Sequence, residues 1–228
     1  HKTRIYKEHE RIIPFILEHI LSLEEKSVIV ITSKIIALAE GRTRVIENEN
    51  TKESLIREES SFVLRTPYTW LTIKDGMVMA AAGIDESNAD NKLILLPKDS
   101  FESAATIRDE LMKRFELKEL GVLITDSRLF PLRAGVVGVA LGYAGFQGIR
   151  DYRGMPDIFG RLLKLSQTDV ADSLATAAVL CMGEGKEQQP LAVITDVSVV
   201  FTEKVNKKEL YIDPKEDIYG PLFKALLG

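Results

Sequence analysis

The sequence predicts an α+β fold in which mixed sheets pack against helices. Short apolar runs typical of buried strands lie between segments whose apolar residues recur at helical spacing. These strands and helices do not follow the strict repeat of a doubly wound parallel sheet. No internal repeat, low-complexity segment or linker divides the chain, so we expect one domain over 1–228, built as a single unit or as two intertwined α/β lobes.

The first half of the chain combines helices with short strands. Pro14 lies in a predicted helix at 7–23, where it marks the first turn or introduces a kink. A buried strand at 27–31 leads into a helix that Thr32 or Ser33 would cap and Gly41 would end. The remaining elements predicted here are a helix at 52–63, a hairpin over 68–83 that turns at Asp75-Gly76, and a strand at 93–96.

The second half is organised in the same way. A helix at 101–115 precedes a buried strand at 121–127 that stops at an acid. The segment 135–146 alternates glycine with branched residues, which favours close packing of its backbone. A long helix follows, with Thr168 as its cap and Gly183 as its end. A strand at 191–201 and a short C-terminal helix complete the prediction.

Composition excludes several classes of protein. The net charge of −4 and the pI near 5.6 give no basic surface for nucleic acid. Cys181 is the single cysteine, so an internal disulfide is impossible. The longest weakly polar stretch, 134–146, is shorter than the roughly 20 residues of a membrane-spanning helix. Residues 1–10 lack the apolar core of a signal peptide. We therefore expect a cytoplasmic protein without nucleic-acid or membrane partners.

Two familiar kinds of catalytic or binding motif are missing. His1, His9 and His19 have no metal-ligand spacing with one another or with cysteine, which argues against zinc and against Cys-His catalysis. The segment 182–187, MGEGKE, has Leu180 and Glu187 where a P-loop needs Gly and Ser or Thr. Taken alone, it is typical of a helix end followed by a loop.

The acidic residues are more informative. Asp85 follows the second strand of the predicted hairpin, and Asp126 ends an apolar run. Asn88 and Ser127 follow them and add an amide and a hydroxyl. Carboxylate, amide and hydroxyl oxygens suit Mg²⁺ or Mn²⁺, which bridge to phosphate. A lone acid at a strand end is more often a turn or cap residue, so the residues themselves leave a cation site and a pair of solvated turns both open.

Seven segments, in this order, resemble the coenzyme F420-0:γ-glutamyl ligase family. They are SKIIALAEGR, AGIDESN, LLPKDSFESA, GVLITDS, RAGVVGVALGYAG, DYRGMPDIFGR and VADSLATAAVLCMGEG, and they lie between about 28 and 190. The resemblance implies an α+β homodimer that uses a nucleoside triphosphate and divalent cations. It also implies that L-glutamate is joined to the phospholactyl tail of a deazaflavin.

The resemblance assigns roles residue by residue. It implies that Asp85, Asp126, Ser127 and Glu184 hold two ions of Mg²⁺ or Mn²⁺. It implies that GTP or ATP contacts the start of the helix after the first strand, the acidic loop and the loop after the long helix. The residues concerned are Ser33, Asn88, Gly183, Gly185 and Lys186, within a loop that runs to Gln188.

The implied reaction forms an acyl phosphate that the glutamate amine then attacks. Arg133 would face an anionic substrate or phosphate, or would form a structural ion pair. Arg150, Asp151, Arg153 and Asp157 would bind substrate carboxylates, or would form a solvated loop with internal salt bridges.

Some positions depart from the family pattern. Leu38 replaces a usual lysine, residues 128–132 replace most of a conserved segment, and Ala171-Asp172-Ser173 replaces Ala-Asp-Glu. Residues 7–16 also have no clear counterpart of the family's N-terminal nucleotide segment. Two alternatives therefore stand beside the F420 ligase: a folate-type γ-glutamate ligase and a non-catalytic, nucleotide-binding regulatory protein.

Overall fold

The computed structural model describes residues 1–48 and 50–222. In chain order its elements are α1 (Ile12–His19), β1 (Ser27–Thr32), α2 (Ser33–Ala39), β2 (Thr43–Val45), α3 (Thr51–Glu58), β3 (Phe62–Arg65), β4 (Trp70–Lys74), β5 (Met77–Ala80), β6 (Lys92–Ile94), α4 (Ser100–Phe115), β7 (Leu120–Leu129), β8 (Val136–Ala144), β9 (Ile149–Asp151), β10 (Gln167–Asp169), α5 (Val170–Met182) and β11 (Leu191–Ile194). Several sheets pack against helices, which confirms the predicted α+β class. The predicted C-terminal helix extends outside the described residues.

A four-stranded mixed sheet with the order β11-β1-β7-β8 forms the centre of the fold. β1 pairs in parallel with β7 and antiparallel with β11, and β8 lies antiparallel to β7. Side chains alternate between the two faces of a strand. Ile29 and Ile31 of β1 pack in the cluster that contains α1 and α4, whereas Val28 and Val30 pack in the cluster that contains α5. Both faces of the sheet are thus covered, which explains the uninterrupted apolar run of β1.

The glycines of β8 let two helices approach the sheet closely. A Cβ at Gly138 would lie 2.4 Å from the carbonyl oxygen of Ala175 in α5, and a Cβ at Gly142 would lie 2.4 Å from the backbone nitrogen of Phe101 in α4. Neither distance is compatible with a side chain. The predicted close backbone packing of this segment is confirmed.

The strands β3, β4 and β5 form a separate antiparallel sheet. The hairpin between β4 and β5 turns at Asp75 and Gly76, with φ angles of 51° and 77°, as the Asp-Gly pair predicts. The predicted helix at 52–63 is partly wrong, since α3 ends at Glu58 and β3 pairs with β4, Val63 opposite Thr72. Pairing across this sheet therefore outweighs the helical pattern beyond residue 58.

Other boundaries also differ from the predictions. The first helix starts only at Ile12, with Pro14 in its first turn, and β11 ends at Ile194 rather than at 201. Neither Thr32 nor Ser33 caps α2, and α5 is capped by the carboxylate of Asp169 instead of by Thr168. None of the helices within the described ranges has the length and apolar character needed to cross a bilayer.

Candidate active site

A cavity of about 880 Å³ lies where β1 and β7 end beside the loops that follow β5 and α5. It is lined by all the residues that the resemblance assigned to the metals and to the nucleotide. These are Ser33, Asp85, Asn88, Asp126, Ser127, Gly183, Glu184, Gly185 and Lys186. The fold thus gathers residues from four separate segments around one space.

Ser33 and Asp126 are brought together by the parallel pair β1 and β7. Thr32 lies opposite Thr125 in that pair, so Ser33 and Asp126, the next residues along the chain, lie side by side. The hydroxyl of Ser33 donates to Oδ1 of Asp126 over 3.2 Å. Ser33 is almost fully buried and Asp126 is half-buried. The hydroxyl that was expected to cap α2 is therefore bound to the acid instead.

Asp85 is held rigidly at both its backbone and its side chain. Its amide and carbonyl exchange hydrogen bonds of 2.9 Å with Ile94 of β6. Lys34 Nζ lies 2.8 Å from Oδ2, and the amide of Ser87 donates to Oδ1 over 2.7 Å. Burial by itself would raise the pKa of Asp85, but the hydrogen bonds from Lys34 and Ser87 outweigh it and lower the pKa below its ordinary value. The carboxylate therefore stays charged in the cavity.

A strained turn leads into Asp85. Ala81, Ala82 and Gly83 all have positive φ, at 48°, 55° and 71°, which the two alanines rarely adopt. The buried hydroxyl of Thr72 donates to the carbonyl of Met79 over 2.8 Å and accepts from the amide of Ala82 over 2.9 Å. Thr72 thus fixes the turn that directs the acidic loop into the cavity.

The loop after α5 closes another side of the cavity. Gly183 ends the helix with φ 79°, as predicted, and Glu184 accepts a hydrogen bond from the Ser127 hydroxyl. The Asn88 amide reaches the carbonyl of Gly185 over 3.4 Å. The loop is tied to the end of β1 where the amide of Thr32 donates to the carbonyl of Pro190 over 3.0 Å. Side-chain and backbone hydrogen bonds together therefore hold this loop in place.

Arg128 is the residue that the sequence reasoning missed most clearly. Its guanidinium NH1 donates to Oδ2 of Asp126 and, over 2.9 Å, to the carbonyl of Ser127. The predicted strand stopped at residue 127, but β7 continues to Leu129. Residues two apart in a strand share a face, so a longer predicted strand would have placed Arg128 beside Asp126. Lys34 was also missed, although it directly follows Ser33.

Two predicted groups lie elsewhere. Arg133 is exposed in the loop between β7 and β8 and does not line the cavity, and it forms no salt bridge within the described ranges. Arg153 pairs with Asp151, Arg150 donates to the carbonyl of Ser198, and Asp157 accepts from backbone amides of its own loop. These contacts match the alternative in which the charged cluster forms a solvated loop with internal salt bridges. The roles of Arg133 and of this cluster in substrate binding remain predictions.

The donor atoms of the cavity suit a hard cation in their chemistry. The carboxylates of Asp85, Asp126 and Glu184 and the hydroxyl of Ser127 offer only oxygen. No three His, Cys, Asp or Glu side chains converge as metal ligands in the part of the chain that the structure describes. Two of the acids form salt bridges within the protein: Asp85 pairs with Lys34, and Asp126 pairs with Arg128. The residues are therefore of the kind that binds Mg²⁺ or Mn²⁺, and two of the three acids are paired with cations of the protein.

The fold and this cavity define an α+β protein with a polar site suited to anionic ligands and cations. The family described as F420-0:γ-glutamyl ligase matches residues 1–196. The coenzyme F420:L-glutamate ligase of Methanococcus maripaludis strain S2 is 33% identical over 216 residues, covering 86% of each chain. That of Archaeoglobus fulgidus is 32% identical over 222 residues, covering 90% of this chain and 88% of the relative. That of Methanopyrus kandleri is 36% identical over 190 residues, covering 75% of each.

The chain belongs to the F420-0:γ-glutamyl ligase family. The resemblance seen in the seven sequence segments is thereby confirmed, as is the predicted enzyme class, a ligase that forms carbon–nitrogen bonds.

Proposed function

We propose that the protein uses a nucleoside triphosphate and divalent cations to form an amide between L-glutamate and the carboxylate of an acceptor such as coenzyme F420-0. The observation that carries this proposal is the convergence of Ser33, the Asp85–Asn88 loop, Asp126 and the loop from Gly183 around one cavity. Family membership supports the acceptor, because the relatives are named coenzyme F420:L-glutamate ligases.

Asp85, Asp126, Ser127 and Glu184 would hold Mg²⁺ or Mn²⁺, with two ions shared among them. All four lie on the cavity wall and offer oxygen atoms, which these hard cations prefer. When bound, the ions neutralise charge on the transferring phosphoryl group. The lowered pKa of Asp85 supports this role, because a ligand carboxylate has to be ionised.

The nucleotide, GTP or ATP, would lie between Ser33, Asn88 and the loop of Gly183, Gly185 and Lys186. Lys186 is exposed beside the two glycines and lines the cavity, where its ammonium would contact a phosphate oxygen. Lys34 adds a second cation at the cavity, where its ammonium already neutralises Asp85. These contacts would orient the terminal phosphate, which is most of what phosphoryl transfer demands of a protein.

The reaction would proceed in two steps. An oxygen of the acceptor carboxylate attacks the terminal phosphorus, giving an acyl phosphate and a nucleoside diphosphate. The glutamate amine then attacks the acyl carbon, loses a proton and expels inorganic phosphate as the amide forms. The side chains that line the cavity would bind and orient the reactants and shield their charges. Arg133 lies outside the cavity, and we propose that it contacts an anionic substrate or phosphate.

Nucleotide hydrolysis in the presence of different acceptors tests this function. We expect phosphate release to require L-glutamate together with F420-0, and to stay at background when either is omitted. Release that requires glutamate and a folate instead would identify the folate-type ligase. Nucleotide binding in the presence of Mn²⁺ without turnover on either acceptor would contradict the ligase and favour the regulatory alternative.

We also propose that the protein is a homodimer that associates through the arm formed by residues 152–165. This arm extends from the antiparallel pair β9 and β10, and the amide of Asp157 donates to the carbonyl of Arg161 near its tip over 2.8 Å. Three of its apolar residues are almost fully exposed to solvent, with exposed fractions of 92% for Ile158, 88% for Phe159 and 89% for Leu165. Contiguous exposed apolar side chains are typical of protein interfaces, and a second copy of the chain would cover them.

A further inference from the structure

Glu184 is flanked by two glycines in the loop that follows α5. Gly183 and Gly185 have no side chains, and Gly183 has a φ of 79°, a conformation that other residues rarely adopt. From Glu184 to Glu187 the chain forms no backbone–backbone hydrogen bond within the described residues. A segment of this kind has many accessible conformations. Contacts from side chains therefore have to determine where the Glu184 carboxylate lies.

The carboxylate of Glu187 turns back over both glycines. Its Oε2 accepts a hydrogen bond from the amide of Gly185 over 2.7 Å. A Cβ on Gly183 would lie 2.5 Å from Cδ of Glu187, and a Cβ on Gly185 would lie 3.3 Å from Oε2. The carboxylate therefore fills the space that the missing side chains leave, and a side chain at position 183 would displace it.

This hydrogen bond holds the peptide unit between Glu184 and Gly185. Because a peptide unit is planar, a contact that fixes its N–H also fixes the carbonyl and the Cα of Glu184. The next peptide unit is contacted from another segment, since the side-chain amide of Asn88 reaches the carbonyl of Gly185 over 3.4 Å. Glu184 itself accepts the hydrogen bond of the Ser127 hydroxyl in the cavity. Glu187 thus acts on the cavity through Glu184.

We propose that Glu187 is a positioning residue that holds Glu184 at the proposed metal site. The inference rests on the metal use proposed above. For this role Glu187 needs an acceptor oxygen and not a negative charge, because the contact is a hydrogen bond from a backbone amide. Glutamine has the same length and keeps a carbonyl oxygen, so it should replace Glu187, whereas alanine should not.

Calorimetric titration with Mn²⁺–GTP and with Mn²⁺–ATP tests this inference. We expect Glu187→Ala to bind the nucleotide that the wild type prefers about tenfold more weakly, the lower end of the range usual for residues that hold metal ligands. Glu187→Gln should bind it nearly as tightly as the wild type does. In a protein that carries Glu184→Gln, the further change Glu187→Ala should have no effect, because the carboxylate that Glu187 positions is absent.

Glu25→Ala is the matched control. Glu25 also accepts hydrogen bonds from backbone amides, those of Lys118 and Glu119 over 2.9 Å each, but it does not line the cavity. Its removal should leave nucleotide affinity unchanged. Solvent exchange of the Gly185 amide proton, followed by nuclear magnetic resonance, measures the Glu187 contact without any ligand. Exchange should be faster in Glu187→Ala than in the wild type and in Glu187→Gln.

The outcomes separate this inference from the proposed function. If the wild type binds an Mn²⁺–nucleotide complex and Glu187→Ala binds it equally well or more tightly, Glu187 does not position the loop and the inference fails alone. If Glu187→Gln loses as much affinity as Glu187→Ala, the charge matters instead of the hydrogen bond, and the positioning role is wrong. An equal loss with and without the Glu184 carboxylate would contradict action through Glu184. If the wild type binds neither complex, the inference fails together with the proposed metal dependence.

Discussion

Lys34 Nζ lies 2.8 Å from Oδ2 of Asp85, and this contact joins the first turn of α2 to the loop after β5. A second cation, Arg128, pairs with Asp126 on the other side of the same cavity. Two of the three acids assigned to metals, Asp85 and Asp126, thus have a positive partner from the protein, whereas Glu184 accepts a hydrogen bond from the Ser127 hydroxyl. The two cations limit repulsion among the carboxylates of the site.

Removing either acid should abolish nucleotide binding that depends on Mn²⁺. We expect Asp85→Asn and Asp126→Asn to fold but to bind the Mn²⁺–nucleotide complex at least about tenfold more weakly, a loss of ~1.4 kcal/mol or more. Asp126→Asn should also lower the free energy of unfolding by about 1–3 kcal/mol, because it leaves the buried Arg128 guanidinium without a counter-ion. Calorimetric titration and urea unfolding measure the two effects.

Glu53→Gln is the control, since Glu53 pairs with Arg57 outside the cavity. It should leave nucleotide binding unchanged. Wild-type affinity for the Mn²⁺–nucleotide complex in both Asp85→Asn and Asp126→Asn would refute their assignment to metals.

Thr72 should stabilise the strained turn that carries Asp85. Thr72→Val removes the hydroxyl that bonds Met79 and Ala82, leaving a buried carbonyl and a buried amide unpaired. We expect it to lower the free energy of unfolding by about 1–3 kcal/mol and to weaken nucleotide binding. Thr72→Ser keeps the hydroxyl and should stay closer to the wild type. Equal stability of the valine and serine variants in urea would show that these hydrogen bonds do not hold the turn.

Asp169, which caps α5, should make stability depend on pH. Burial and, to a smaller extent, the nearby charges of Asp172 and Glu209 raise the pKa of Asp169 to about 6 from its ordinary value of 3.8. The folded state then binds the proton more tightly than the unfolded state. The contribution of this group is complete below pH 3.8 and is lost as the pH rises through about 6.

Asp169→Asn keeps an oxygen that can cap the helix but does not titrate. We expect its stability relative to the wild type to increase as the pH rises through about 6, measured as the difference in free energy of unfolding in urea. If the difference in free energy of unfolding stays constant as the pH rises through about 6, the pKa of Asp169 is not raised.

The exposed arm should control the oligomeric state. Ile158→Asp and Phe159→Asp place a charge where a second copy would bury an apolar side chain, and we expect both to give monomers in light scattering. Leu21→Asp is a suitable control, because Leu21 is 84% exposed and lies outside the arm. A dimer that persists in both arm variants, or a monomeric wild type, would contradict the proposed interface.

The sequence predicted the elements that rest on local signals. Residue types within a single segment were enough to predict four features. These are the apolar run of β1, the Asp75-Gly76 turn, the glycines of β8 and the glycine at the end of α5. Errors arose where distant pairing decides the structure. Residues 62–65 form a strand because they pair with β4. Ser33 does not cap α2 because its hydroxyl donates a hydrogen bond to the carboxylate of Asp126.

The candidate site was predicted in its acids and loops but not in its cations. Asp85 and Asp126 stand out because each follows an apolar strand. Lys34 and Arg128 give no such signal, since their importance depends on the direction of a side chain and on the length of β7. The left-handed turn at 81–83 was equally hidden, because alanine does not favour positive φ and a distant side chain, Thr72, helps to hold it there.

The most direct test of the proposed function is the mass of the acceptor after incubation with L-glutamate, nucleoside triphosphate and Mg²⁺. We expect F420-0 to gain the mass of a glutamate residue, with one phosphate released for each amide formed, and Asp126→Asn to give no product. An acceptor of unchanged mass with a protein that binds the Mg²⁺–nucleotide complex would contradict the ligase function.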